Sequence, residues 1–167
     1  MFRIFSSFVG LALMVGSASA ELLEIIDGDD FTAHLITTDS DADTLTYDLV
    51  YVGGQSRSAF VARRFMLEMA ERVDQRTITS VYLSYKGDRR YQIEGTGITE
   101  LASGFQLGEM EAFHTLMQLP FIVRDLEGNL VFEERSGALL DVLNMRAENF
   151  NEMLSHWYLT DLLEELK

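Results

Sequence analysis

Residues 51–60, YVGGQSRSAF, end an apolar alternating run in two glycines and then open a helical pattern. A strand, a glycine turn and a helix N-terminus can support two kinds of chemistry. Free N–H groups and the helix dipole, converging with Gly54, Ser56 and Arg57, would hold an anion. Gly54-Gln55-Ser56-Arg57-Ser58 is also one residue short of the G-x-S-x-G nucleophile elbow. Ser58 stands where the last glycine belongs, and that glycine lets the tight strand-to-helix turn form. With an acid and His114 or His156, Ser56 would complete a hydrolase triad. The plainer reading makes the glycines a corner and Ser56 or Ser58 a helix cap. Gly54, Ser56 and Arg57 are therefore the ligand-binding candidates, and no catalytic residue is assigned.

Other residues suggest chemistry less completely. Asp39, Asp41 and Asp43 alternate as in the first half of a calcium loop. Thr44 then occupies the glycine position and Val50 the position of the bidentate glutamate. A weak calcium site completed by Asp27, Asp29 or Asp30 is one alternative, and a solvated acidic loop is the default. His34, His114 and His156 lack metal-ligand spacing, so no metal site is assigned. Glu152 precedes His156 by one helical turn, which predicts a surface pair. Lys86, Arg89 and Arg90 cluster at a hairpin tip that could meet a carboxylate-rich partner. Asp161 projects onto the apolar face of the last helix. It is either a buried carboxylate or, with Glu164 three residues on, a capping box where the helix breaks. The break is the favoured account.

Composition bounds these options. The chain has no cysteine, which excludes thiol catalysis, Cys-ligated zinc and iron–sulfur chemistry, and no cofactor is expected. Residues 1–20 read as a cleavable signal peptide, with Arg3 as a positive start, an apolar stretch at 8–15 and Ala18-Ser19-Ala20 as a small-x-small cleavage site. The apolar stretch is far shorter than the roughly 20 residues that span a bilayer. Cleavage would leave 147 residues (167 minus 20), the length of one domain. Of 13 basic and 27 acidic side chains, losing Arg3 leaves 12 against 27, a net charge of −15. Such a surface repels nucleic acid and anionic lipid and attracts basic partners.

Periodicity supplies the elements. Residues 31–36 and 45–52 alternate as two strands of a hairpin, and 56–74 have helical spacing. Glu68 lies four residues from both Arg64 and Arg72 and can pair with either. Residues 77–95 form a second hairpin. A one-residue slip turns every side chain to the other face, so uniting Val81, Leu83 and Tyr85 with Tyr91 and Ile93 requires a loop of odd length. Two short helices follow, about 97–103 and 109–118, interrupted at Gly104 and Gly108 and stopped by Pro120. A third hairpin joins 121–123 to 130–132 through a turn at Gly128. Helices over 136–143 and 146–166 end the chain.

Hairpins alternating with helices predict an α+β fold: a single domain over 21–167, mostly antiparallel sheet with helices packed on one face. Strand 45–52 would connect to strand 78–85 by a parallel crossover. The expected function is that of a soluble binding or accessory protein exported to a bacterial periplasm or beyond, non-catalytic, with a protein or small-molecule partner. Neither nucleic acid binding nor membrane insertion after cleavage is expected. The alternatives are a small periplasmic hydrolase using scattered Ser, His, Asp or other carboxylate groups, and a weak calcium-binding protein.

Overall fold

The computed structural model describes residues 20–27, 31–41, 43–54, 58–106, 109–134 and 136–165; the side chains of 23–27, 31, 40, 54, 58–60, 105, 106, 109–113 and 162 are not part of that description. The strands are β1 (Ala20–Asp27), β2 (Phe31–Asp41), β3 (Thr44–Gly54), β4 (Ser80–Tyr85) and β5 (Asp88–Glu94). The helices are α1 (Ser58–Gln75), α2 (Thr96–Gln106), α3 (Glu109–Gln118), α4 (Leu139–Leu154) and α5 (Thr160–Glu165), with a 3-10 turn at Leu119–Phe121. The architecture is α+β, as the hairpin pattern predicts. One sheet runs in the order β1-β2-β3-β4-β5. Every pairing is antiparallel except β3 with β4, the expected parallel link, which is connected through α1.

Alternation explains the core. Leu45, Tyr47 and Leu49 of β3 lie level with Val81, Leu83 and Tyr85 of β4, and Val81 and Leu83 lie level with Ile93 and Tyr91 of β5. All are buried, as are Ala33 and Leu35 of β2. Helix α1 covers this face with Val61, Ala62, Phe65, Met66, Met69 and Ala70, the i, i+3, i+4, i+7 stripe of an amphipathic helix. The Phe65 ring meets Tyr47 edge-on at 5.0 Å and Trp157 at 5.9 Å.

The second hairpin corrects one expectation. Its loop is not odd. It is the two-residue turn Lys86-Gly87, with φ of 50° and 85°, the left-handed pair that matches strand twist. The apolar sets are united by a bulge instead. Leu83 faces Tyr91 but Ser84 faces Arg89, so Arg90 is the extra residue. The Lys86 N–H donates to the Leu49 carbonyl at 3.1 Å, and the Gly87 N–H to Asp48 at 2.9 Å, which ties the turn to β3.

Three further differences have local causes. Strand β1 was not expected, because LLEIID sets apolar residues side by side and masks the alternation. The third hairpin is not a pair of strands. Residue Arg124 makes single bridges to Leu130 and Gln92, covering part of the β5 edge, and Gly128 at φ 88° closes the turn as expected. The terminal helices are also not two separate pieces. Helix α4 runs into a π turn at Ser155–Leu159 and on into α5, with the Thr160 N–H bonded five residues back to the Ser155 carbonyl. No break occurs at Asp161, and Asp161 is not buried. The π turn inserts one residue, which rotates everything after it by about 100°. That rotation takes Asp161 off the apolar face onto which a uniform helix projects it.

Helix α2 continues through Gly104 because α3 comes so close. A Cβ at Gly104 would lie 1.9, 2.8 and 2.9 Å from three side-chain atoms of Thr115, so no single rotation relieves it. Gly104→Ala gains about 1 kcal/mol of helix propensity but forces overpacking that costs about 1–3 kcal/mol. The expected outcome is a lower urea midpoint; a raised midpoint would show that α3 yields freely.

Candidate functional site

Two backbone irregularities, the bulge in β5 and the π turn after α4, meet at one place. The bulge presents Arg90 from β5, and the π turn presents Ser155 and His156 opposite it. Bulges re-aim side chains beside functional sites, and π turns cluster there. Between them lies an open cleft of about 400 Å³, lined by Arg90, Tyr91, Ser155, His156, Thr160 and Asp161.

Arg90 Nη2 donates to Asp161 Oδ2 at 2.5 Å and lies 3.1 Å from Asp88 Oδ2. Its Nε and the Tyr91 hydroxyl are buried without a hydrogen-bond partner. Burial, reinforced by Glu152 and opposed by Arg90, pushes the Tyr91 phenol up to about 12. Behind the cleft, the Trp157 indole N–H donates to the Ser84 carbonyl at 2.9 Å, next to the bulge. Lys86 pairs with Glu165, so α5 is pinned to the hairpin tip at two points. The Ser155 hydroxyl donates to the Asn151 carbonyl at 2.9 Å. Asp161 is thus held by Arg90, and Ser155 is turned to its own helix, while His156 also lines the cleft.

A second polar cluster straps α1 to the sheet. Arg72 reaches Glu68 at 2.7 Å, Glu21 at 2.6 Å and Asp39 at 3.7 Å, and Arg76 reaches Asp39 at 2.6 Å. Of the two arginines within reach of Glu68, the pair formed is with Arg72. Burial works against the Arg72 charge, but Glu68 and Glu21 hold its pKa above the ordinary value. Below them the Tyr47 hydroxyl is buried without a hydrogen-bond partner, and burial raises its pKa.

The third feature is apolar. Leu139, Leu140 and Leu143 open α4 and are 76%, 69% and 48% exposed. Their spacing puts Leu143 one turn from both others, so the three form one patch on the helix surface.

The sequence-predicted residues are placed as follows. Gly54 ends β3 opposite Phe31, while Ser56 and Arg57 lie outside the described residues. His114 is exposed on α3, 3.1 Å from Gln118. His34 rests against the Tyr51 ring at 5.2 Å, and His156 borders the cleft without an ion pair to Glu152 among the described residues. Asp39 is held by arginine, and Asp43 accepts from Thr79 at 2.8 Å. Among the described residues no three metal-ligating side chains converge. The basic tip is internally satisfied: Lys86 and Arg90 by carboxylates, Arg89 by the Tyr82 ring at 4.0 Å. Sequence reasoning missed both the Arg90–Asp161 contact and the exposed leucines. Parity pointed to an extra residue in the hairpin but placed it in the loop, not at Arg90. Compared with known protein families, curated proteins and solved structures, the chain gives no significant match.

The buried phenols predict an alkaline limit. Tyr47, Tyr85 and Tyr91 all have raised pKa values, with burial as the leading cause. Unfolded tyrosine titrates near pH 10. The stability from keeping these phenols protonated is therefore complete below about pH 10 and is lost as pH rises toward the folded values, because the unfolded chain releases protons first. Urea midpoints are expected to fall once pH passes about 10, and Tyr91→Phe to flatten that fall. An unchanged slope in the variant would show that Tyr91 is not buried in this way.

Proposed function

We propose that the protein is an exported binding or accessory protein that acts outside the cytosol by docking another protein, not by catalysis. One observation carries this reading: three leucines on the first turns of α4 face solvent. Contiguous apolar surface of this kind marks interaction sites, and full burial of a leucine is worth about 1.5–3 kcal/mol. The cleft beside Arg90 supports the non-catalytic part, since its carboxylate and serine are engaged internally. Export is supported by Arg3, the apolar stretch at 8–15 and the Ala18-Ser19-Ala20 site. Among the described residues no helix is long and apolar enough to cross a membrane.

The test compares wild type with Leu139→Ser/Leu140→Ser/Leu143→Ser as immobilised bait in a periplasmic extract. Exposed substitutions change stability by about 0.5 kcal/mol or less, so both proteins are expected to melt together. Wild type is expected to retain a protein that the variant loses. Equal retention by both, or by neither, overturns the reading.

A further inference from the structure

We infer that the partner docking on the α4 leucines is a basic amphipathic segment, with apolar residues at helical spacing flanked by lysine or arginine; this rests on the docking reading above. The argument is charge complementarity around the patch. Residues 125–165 carry ten acidic side chains and two basic ones, Arg146 and Arg135, the latter outside the described residues; three of the carboxylates are already paired, Glu134 with Arg146, Asp161 with Arg90 and Glu165 with Lys86. Arg146 is turned inward, its side chain 14% exposed and paired with Glu134. Just upstream, Arg124 is spent on the Gly128 carbonyl at 2.8 Å. By contrast Asp141, about 100° round the helix from Leu140, is exposed, as are Glu133 and Glu148. The leucines thus form an apolar row in a negative field.

That combination selects among occupants. The row runs over four residue steps of helix, about 6 Å, the spacing of i, i+4 anchors on a partner helix. Cationic flanks on the partner would speed encounter and fix its orientation. A second copy of this chain would press two acidic rims together, and an anionic lipid surface would be repelled.

The test uses fluorescence anisotropy with a labelled synthetic peptide of about five helical turns, leucine at i, i+3, i+4 and i+7 and lysine elsewhere. A second peptide has glutamate in place of lysine. Wild type is expected to bind the lysine peptide at least about tenfold more tightly than the glutamate peptide. It is also expected to bind it about tenfold more tightly than Leu139→Ser/Leu140→Ser/Leu143→Ser does, with affinity falling as salt rises. A second variant, Glu133→Lys/Asp141→Lys, leaves the leucines in place and is expected to narrow or reverse the peptide preference; it keeps the proposal testable if the serine variant fails to fold. If lysine and glutamate peptides bind equally but both need the leucines, the docking reading stands and the basic partner is wrong. If the serine variant binds the lysine peptide as well as wild type, the negative field acts alone and both fail. Leucine-dependent self-association in sedimentation, or leucine-dependent binding to phosphatidylglycerol vesicles, would replace the basic segment with a second copy or a membrane surface.

Discussion

One parity constraint organises this protein. The apolar residues of β4 and β5 must share a face with those of β3, because only that face is roofed by α1 and the C-terminal helix. A two-residue turn between antiparallel strands sets the register, and here that register would send Tyr91 and Ile93 to the opposite side. The conflict is resolved by looping out Arg90. Burying Tyr91 and Ile93 outweighs the disrupted ladder, since each such side chain contributes about 1.5–3 kcal/mol.

The bulge has consequences beyond the sheet. It carries Arg90 to the side where the chain returns, and that charge finds Asp161. The Ser84 carbonyl, next to the disrupted ladder, receives the Trp157 indole N–H. Trp157 also contacts Phe65 and Tyr158 edge-on. To reach Ser84 and still continue into α5, the helix widens into a π turn. The two irregularities are thus opposite walls of one cleft.

Charge shapes the rest. The net charge of −14 is unevenly spread, with Arg72 of α1 and Lys86 and Arg90 of the second hairpin paired internally. Among the described residues of the C-terminal third the exposed charged side chains are acidic, and the leucines of α4 lie in the same stretch of chain. Apolar surface in a stretch of one sign of charge is disfavoured from self-association and open to the opposite sign.

Period-two alternation identified β2, β3, β4 and β5, and helical spacing identified α1, because those patterns are properties of short segments. Composition settled the absence of thiol chemistry and the strong negative charge. Parity required one extra residue in the second hairpin. Its location at Arg90, and not in the loop, was a tertiary decision: turn geometry, β3 and Trp157 all bear on that one step. Asp161 is a similar case, since a projection that assumes a uniform helix cannot see a residue inserted by contacts made elsewhere. Leu139, Leu140 and Leu143 look like core residues in the sequence, as Leu154 does. Only the path of the folded chain leaves them in water, because burial depends on what arrives from far along the sequence and not on a residue's own hydrophobicity.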